Sequence, residues 1–79
     1  MKVVGALYFN HSDDHTKLFN EAIVLLNKIG LNYDHPMGKN NIIEFFGEIN
    51  HYQFRAVQKL ISKLGNLSYI EVENVLEIE

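Results

Sequence analysis

The stretch that most constrains this chain runs from Val3 to Leu26: an apolar strand, a polar elbow and an amphipathic helix in immediate succession. Residues Val3-Val4-Gly5-Ala6-Leu7-Tyr8-Phe9 are β-branched, aromatic or small and apolar almost without interruption. That pattern belongs to a strand buried on at least one face and central in its sheet. Asn10-His11-Ser12-Asp13-Asp14-His15 follows as a polar elbow, and a helix is expected from Thr16. Ser12, Asp13 and Asp14 supply helix-start chemistry, with side-chain oxygens for orphan amides and negative charge at the positive end of the helix dipole. Leu18, Ala22, Leu25 and Ile29 recur at helical spacing beside Phe19, Ile23 and Leu26, and form one broad apolar face. Gly30 is the expected stop.

Downstream, Leu31–Asp34 reads as a short extended piece. His35-Pro36-Met37-Gly38-Lys39-Asn40-Asn41 is turn-rich and holds the only proline. Ile42–Ile49 reads as the next strand. Asn50 with Gln53 three residues on forms a capping-box pattern before a second helix, whose apolar face is Phe54, Val57, Leu60, Ile61 and Leu64 and whose stop is Gly65. The last strand, from Leu67 or Ser68 to Ile78, alternates Ile70, Val72, Leu76 and Ile78 with Glu71, Glu73, Glu77 and Glu79.

The order β-α-β-β-α-β places residues 1–79 in one α+β domain. Two amphipathic helices need one surface to cover, and four strands supply it. The expectation is a ferredoxin-like two-layer sandwich, an antiparallel four-stranded sheet with two helices on one face and the first and third strands central. A chain of 79 residues buries only about 60% of the surface its unfolded form exposes and gains from self-association. The absence of cysteine excludes disulfides, thiolate metal sites and a cysteine nucleophile. The opening Met1-Lys2-Val3-Val4 shows no signal-peptide pattern, and no apolar run has the length of a membrane span, so a cytoplasmic protein is expected.

The sheet face left uncovered by the helices should carry Glu71, Glu73, Glu77 and Glu79 with Val75 from the last strand. Glu44 and Glu48 share a face with Ile42 and Phe46 on the third strand. Such a face can be solvated, can hide its apolar part in a homodimer, or can dock a basic partner through Glu71, Glu73 and Glu77. An RNA-recognition domain has the same element order and stacks bases on its central strands, roles in which Tyr8, Phe45 and Phe46 could be cast. The third strand here carries acids and no Arg or Lys before its aromatics, and the net charge is −3, so nucleic acid is a disfavoured partner.

His11 and His15 are four apart, a spacing that puts two imidazoles on one face of a helix and suits zinc or nickel. His35 and His51 could join them through the fold. The competing reading is that Ser12 or Asp13 caps the helix while both histidines stay exposed. No Ser-His arrangement, carboxylate pair or phosphate-binding glycine loop specifies catalysis, and no enzyme is expected. Arg55, Lys59 and Lys63 form an i, i+4, i+8 stripe opposite the apolar face of the second helix, either a solvated face or a contact for an acidic partner.

The strand Val3–Phe9 with its polar elbow, the helix ending Asn27-Lys28-Ile29-Gly30-Leu31-Asn32, and the segment Lys63-Leu64-Gly65-Asn66-Leu67-Ser68-Tyr69-Ile70-Glu71-Val72 resemble the ACT-like group of small regulatory domains. That group includes the C-terminal domain of nickel-responsive repressors. The resemblance implies a dimer or larger assembly that binds an amino acid or metal effector near the first elbow, here Asn10, His11, Ser12, Asp13 and His15. The chain departs from the group in lacking a nickel-site cysteine and an Asp-Arg-Pro-Gly-like turn, and no N-terminal DNA-binding segment is expected. The expected function is a non-catalytic regulatory or ligand-sensing module that self-associates, with an acidic protein-interaction module as the alternative and His-based divalent metal binding as a third reading.

Overall fold

In a computed structural model, which describes residues 1–10, 13–34, 41–65 and 67–73, the element order is β1 (Lys2–Tyr8), α1 (Asp13–Ile29), β2 (Asn32–Asp34), β3 (Ile42–Glu48), α2 (His51–Leu64) and β4 (Tyr69–Val72). The strands form one sheet in the order β2-β3-β1-β4, antiparallel at every pairing. This is an α+β fold with a four-stranded antiparallel sheet and two helices, consistent with a ferredoxin-like class. The two most apolar strands are central, as the sequence predicts. Among the described residues no helix is long and apolar enough to cross a membrane.

Period-two alternation divides the sheet. Val3, Leu7, Ile43 and Phe45 are buried on one side and share a core with Ala22 and Leu26 of α1 and Val57, Leu60 and Leu64 of α2. Leu7 stands opposite Ile43 and Gly5 opposite Phe45, so the core's largest side chain crosses the one position of β1 that has none. A Cβ on Gly5 would meet the Tyr69 carbonyl oxygen and stand 2.5 Å from Phe45 Cζ. Glycine is required there by close approach.

The helix boundaries follow from local chemistry. α1 starts at Asp13, not Thr16, so Asp14 lies in the first turn, where the dipole favours a carboxylate, and His15 belongs to the helix. It stops in a Schellman motif: Leu31 N–H donates to Leu26 O at 3.0 Å and Gly30 N–H to Asn27 O at 3.3 Å, with Gly30 at φ 77°. α2 begins with the capping box foreseen at Asn50, whose Oδ1 accepts from Gln53 N–H at 2.9 Å while its own N–H donates to Gln53 Oε1 at 3.0 Å. It ends on a left-handed Gly65, whose N–H donates to Ile61 O at 3.0 Å.

β4 is described only over Tyr69–Val72, shorter than the strand expected to Ile78; residues 74–79, Glu77 among them, lie outside the described residues. Glu73 follows the strand and its N–H still donates to Lys2 O at 2.8 Å. At the other end Tyr8 N–H donates to Ser68 Oγ at 2.8 Å, so a side chain replaces the ladder where β4 begins.

Candidate functional site: the outer sheet face

Residues of even number on β1 and β3 point away from the helices. Two rows cross the sheet on that side. One runs Asn32, Phe46, Val4, Glu71, and the next runs Asp34, Glu44, Ala6, Tyr69. Phe46 is 58% exposed, Tyr69 43% and Val4 37%. Phe46 and Val4 are register partners, and Tyr69 stands opposite Ala6, one diagonal step from Val4. Cross-strand and diagonal neighbours lie within about 4.5–8 Å, so the three make one apolar patch. Ala6 is buried yet outside the core cluster: its methyl lies low between larger neighbours on this outer face.

Glu44, Glu48 and Glu71 are exposed and flank the patch, with Lys2 opposite Glu48. Glu44 sits opposite Asp34 on β2. Two carboxylates directly opposite one another concentrate negative charge on this rim. An acidic fringe around an exposed apolar centre is suited to a partner with the inverse pattern.

The placement of the anticipated residues is mixed. Glu71 is on the outer face and exposed; Glu73 is exposed just beyond β4; Glu77 lies outside the described residues. Of the three aromatics weighed for base stacking, Tyr8 and Phe46 share the outer face, but Phe45 is 1% exposed in the core. Sequence reasoning omitted Tyr69 from this face. Its signal was available: it alternates with Ile70 in step with Glu71.

At the elbow the structure describes His15 and not His11. His15 is half-buried, its ring edge-on to Phe9 at 6.4 Å. Its Nδ1 accepts a 2.6 Å hydrogen bond from the backbone N–H of Asn10, which fixes the proton on Nε2. The imidazole therefore ties the end of β1 to the first turn of α1, where the competing reading had left it exposed. His11, Ser12 and His35 lie outside the described residues, as does the side chain of Asp13. His51 opens α2 after β3, whose end pairs with Lys2, whereas His15 follows the Tyr8 end of β1. The two imidazoles are at opposite ends of a strand about 20 Å long, so His51 does not join the elbow. Among the described residues no three His, Asp or Glu side chains gather as a metal-ligand group.

No family model, curated protein or solved structure matches this chain.

Proposed function

We propose that this is a non-catalytic interaction module of ferredoxin-like βαββαβ build, both helices on one sheet face, that recognises a protein through the other. The observation that carries this reading is the exposed Phe46, Val4 and Tyr69 patch fringed by Glu44, Glu48 and Glu71. A partner with apolar side chains among Lys or Arg satisfies both parts: the apolar centre gains from leaving water, and the carboxylate rim steers and orients the encounter. Regulation by occupancy of this face is the role such a module would serve.

Ligand sensing at Asn10, His11, Ser12, Asp13 and His15, with zinc or nickel as the metal option, has weaker support. A metal on His15 Nδ1 would have to displace the Asn10 amide, and Nε2 carries the proton. The outer face is therefore the preferred site.

The test is affinity purification with the double variant Glu44→Lys, Glu71→Lys beside Glu21→Lys, a single charge reversal on α1, as a control away from the sheet face. A partner held by the native protein and the control, and lost by the double variant, supports the reading. A partner retained by the double variant, with its fold intact by circular dichroism, overturns it.

A further inference from the structure

The helices carry the inverse pattern on the side turned away from the sheet. At 100° per residue, Lys17, Val24 and Lys28 of α1 point opposite Ala22 and Leu26, with Glu21 beside Lys28 on the same side. Val24 is 66% exposed although it lies within an apolar run. On α2, Tyr52, Arg55 and Lys59 point opposite Val57 and Leu64, and Tyr52 is 84% exposed. A shallow groove of about 450 Å³ runs along α1, lined by Asn20, Glu21, Val24, Leu25 and Lys28. An ion pair of Lys63 Nζ with Glu21 Oε2 at 3.8 Å is well exposed on both partners and adds little stability.

The molecule thus has two unlike faces. Apolar groups among carboxylates, with Lys2 at one end, form the outer sheet, and apolar groups among Lys and Arg, with Glu21 as an acidic exception, form the outer helix layer. Sheet-to-sheet pairing of two copies would set Glu44, Glu48 and Glu71 against their own kind, which opposes an isologous dimer. Sheet-to-helix pairing removes that repulsion and covers both apolar centres at once. We infer that copies of this chain associate face to back, the outer sheet of one protomer seated on the outer helix layer of the next. This rests on the reading of the outer sheet as a docking surface and identifies its partner as a second copy. A contact between unlike faces stays open at both ends unless the rotation between copies closes it, so assembly continues past the dimer.

Two surface variants test the arrangement by sedimentation velocity at about 10 mM ionic strength, where the screening length is about 30 Å. Glu44→Lys with Glu71→Lys disables the sheet face; Arg55→Glu with Lys59→Glu disables the helix face. The native chain should exceed the mass of a dimer as concentration rises, and should lose at least about tenfold in association at 1 M salt, where screening is about 3 Å. Each variant alone should stay monomeric. An equimolar mixture of the helix variant with Phe46→Ser, which disables the sheet face without creating a basic one, should form a dimer and stop there, because each retains one intact face. A native chain that remains monomeric overturns the inference, and if the sheet variant then still loses a different partner, the docking reading survives. A native dimer that does not grow, a helix variant that associates like the native chain, or a folded mixture that stays monomeric also overturns it. Phe46→Ser gives a second route to the sheet variant without charge reversal.

Discussion

The backbone N–H of Asn10 donates to Nδ1 of His15 at 2.6 Å, joining the exit of the central strand to the first turn of the first helix. The same imidazole lies edge-on to Phe9, which packs edge-on against Phe19 at 5.1 Å. His15→Ala removes an acceptor and an aromatic contact together. The expected cost is about 1–2 kcal/mol, a fall in Tm of roughly 4–16 °C for a domain of this size. Differential scanning calorimetry checks it, and no change in Tm would mean the elbow is held by other contacts.

Gly5→Ala forces a methyl toward the Phe45 ring and the Tyr69 carbonyl oxygen. Neither can yield cheaply, since one is packed in the core and the other is backbone. The expected loss is about 1–3 kcal/mol or more. Gly30 is the contrast: nothing stands within 4 Å of its Cβ position and only its φ of 77° resists substitution. Gly30→Ala should cost about 1–2 kcal/mol, and Gly30→Asn should recover part of it, because asparagine tolerates that conformation. Urea unfolding of the three variants separates a packing cost from a backbone cost.

The capping box of α2 yields a paired prediction. Asn50→Ala should lower stability by about 1 kcal/mol through loss of the bond to Gln53 N–H. Gln53→Ala should cost less, since it leaves that bond in place and removes only the reciprocal one. Equal losses in chemical denaturation would show that the two halves act only together.

Inner and outer sheet residues should respond oppositely. Ile43 is fully buried, and Ile43→Ala should cost about 2–5 kcal/mol. Phe46→Ser, at a position 58% exposed, should change monomer stability by less than about 1 kcal/mol. A large loss from Phe46→Ser in dilute solution would place that ring in an intramolecular role.

Much of the architecture was legible because local signals agreed. Gly30 and Gly65 stop their helices, Asn50 and Gln53 start one, and the apolar runs at Val3–Phe9 and Ile42–Ile49 occupy the centre of the sheet. Boundaries were less so. Thr16 looked like the first helical residue because apolar periodicity begins at Leu18, yet Asp13 and Asp14 suit the first turn by charge alone. The metal reading of His11 and His15 rests on spacing, which carries no information about hydrogen bonding; Asn10 engages Nδ1 of His15 through a backbone amide that no pattern of side chains reveals. Val24 and Tyr69 escaped notice for a related reason. Each lies in an apolar segment, and only the helical or strand phase shows that it points outward.

The segregation of charge has a consequence for how the protein behaves near any charged surface. Lys17, Lys28, Arg55, Lys59 and Lys63 outnumber Asp13, Asp14 and Glu21 on the helices, while Asp34, Glu44, Glu48, Glu71 and Glu73 outnumber Lys2 on the sheet side. A net charge of −3 averages these away, but an ion-exchange resin does not average. The protein should adhere to quaternary-amine and sulfonate beads alike at low salt, turning a different side to each, and so be oriented by a field that its net charge would barely register.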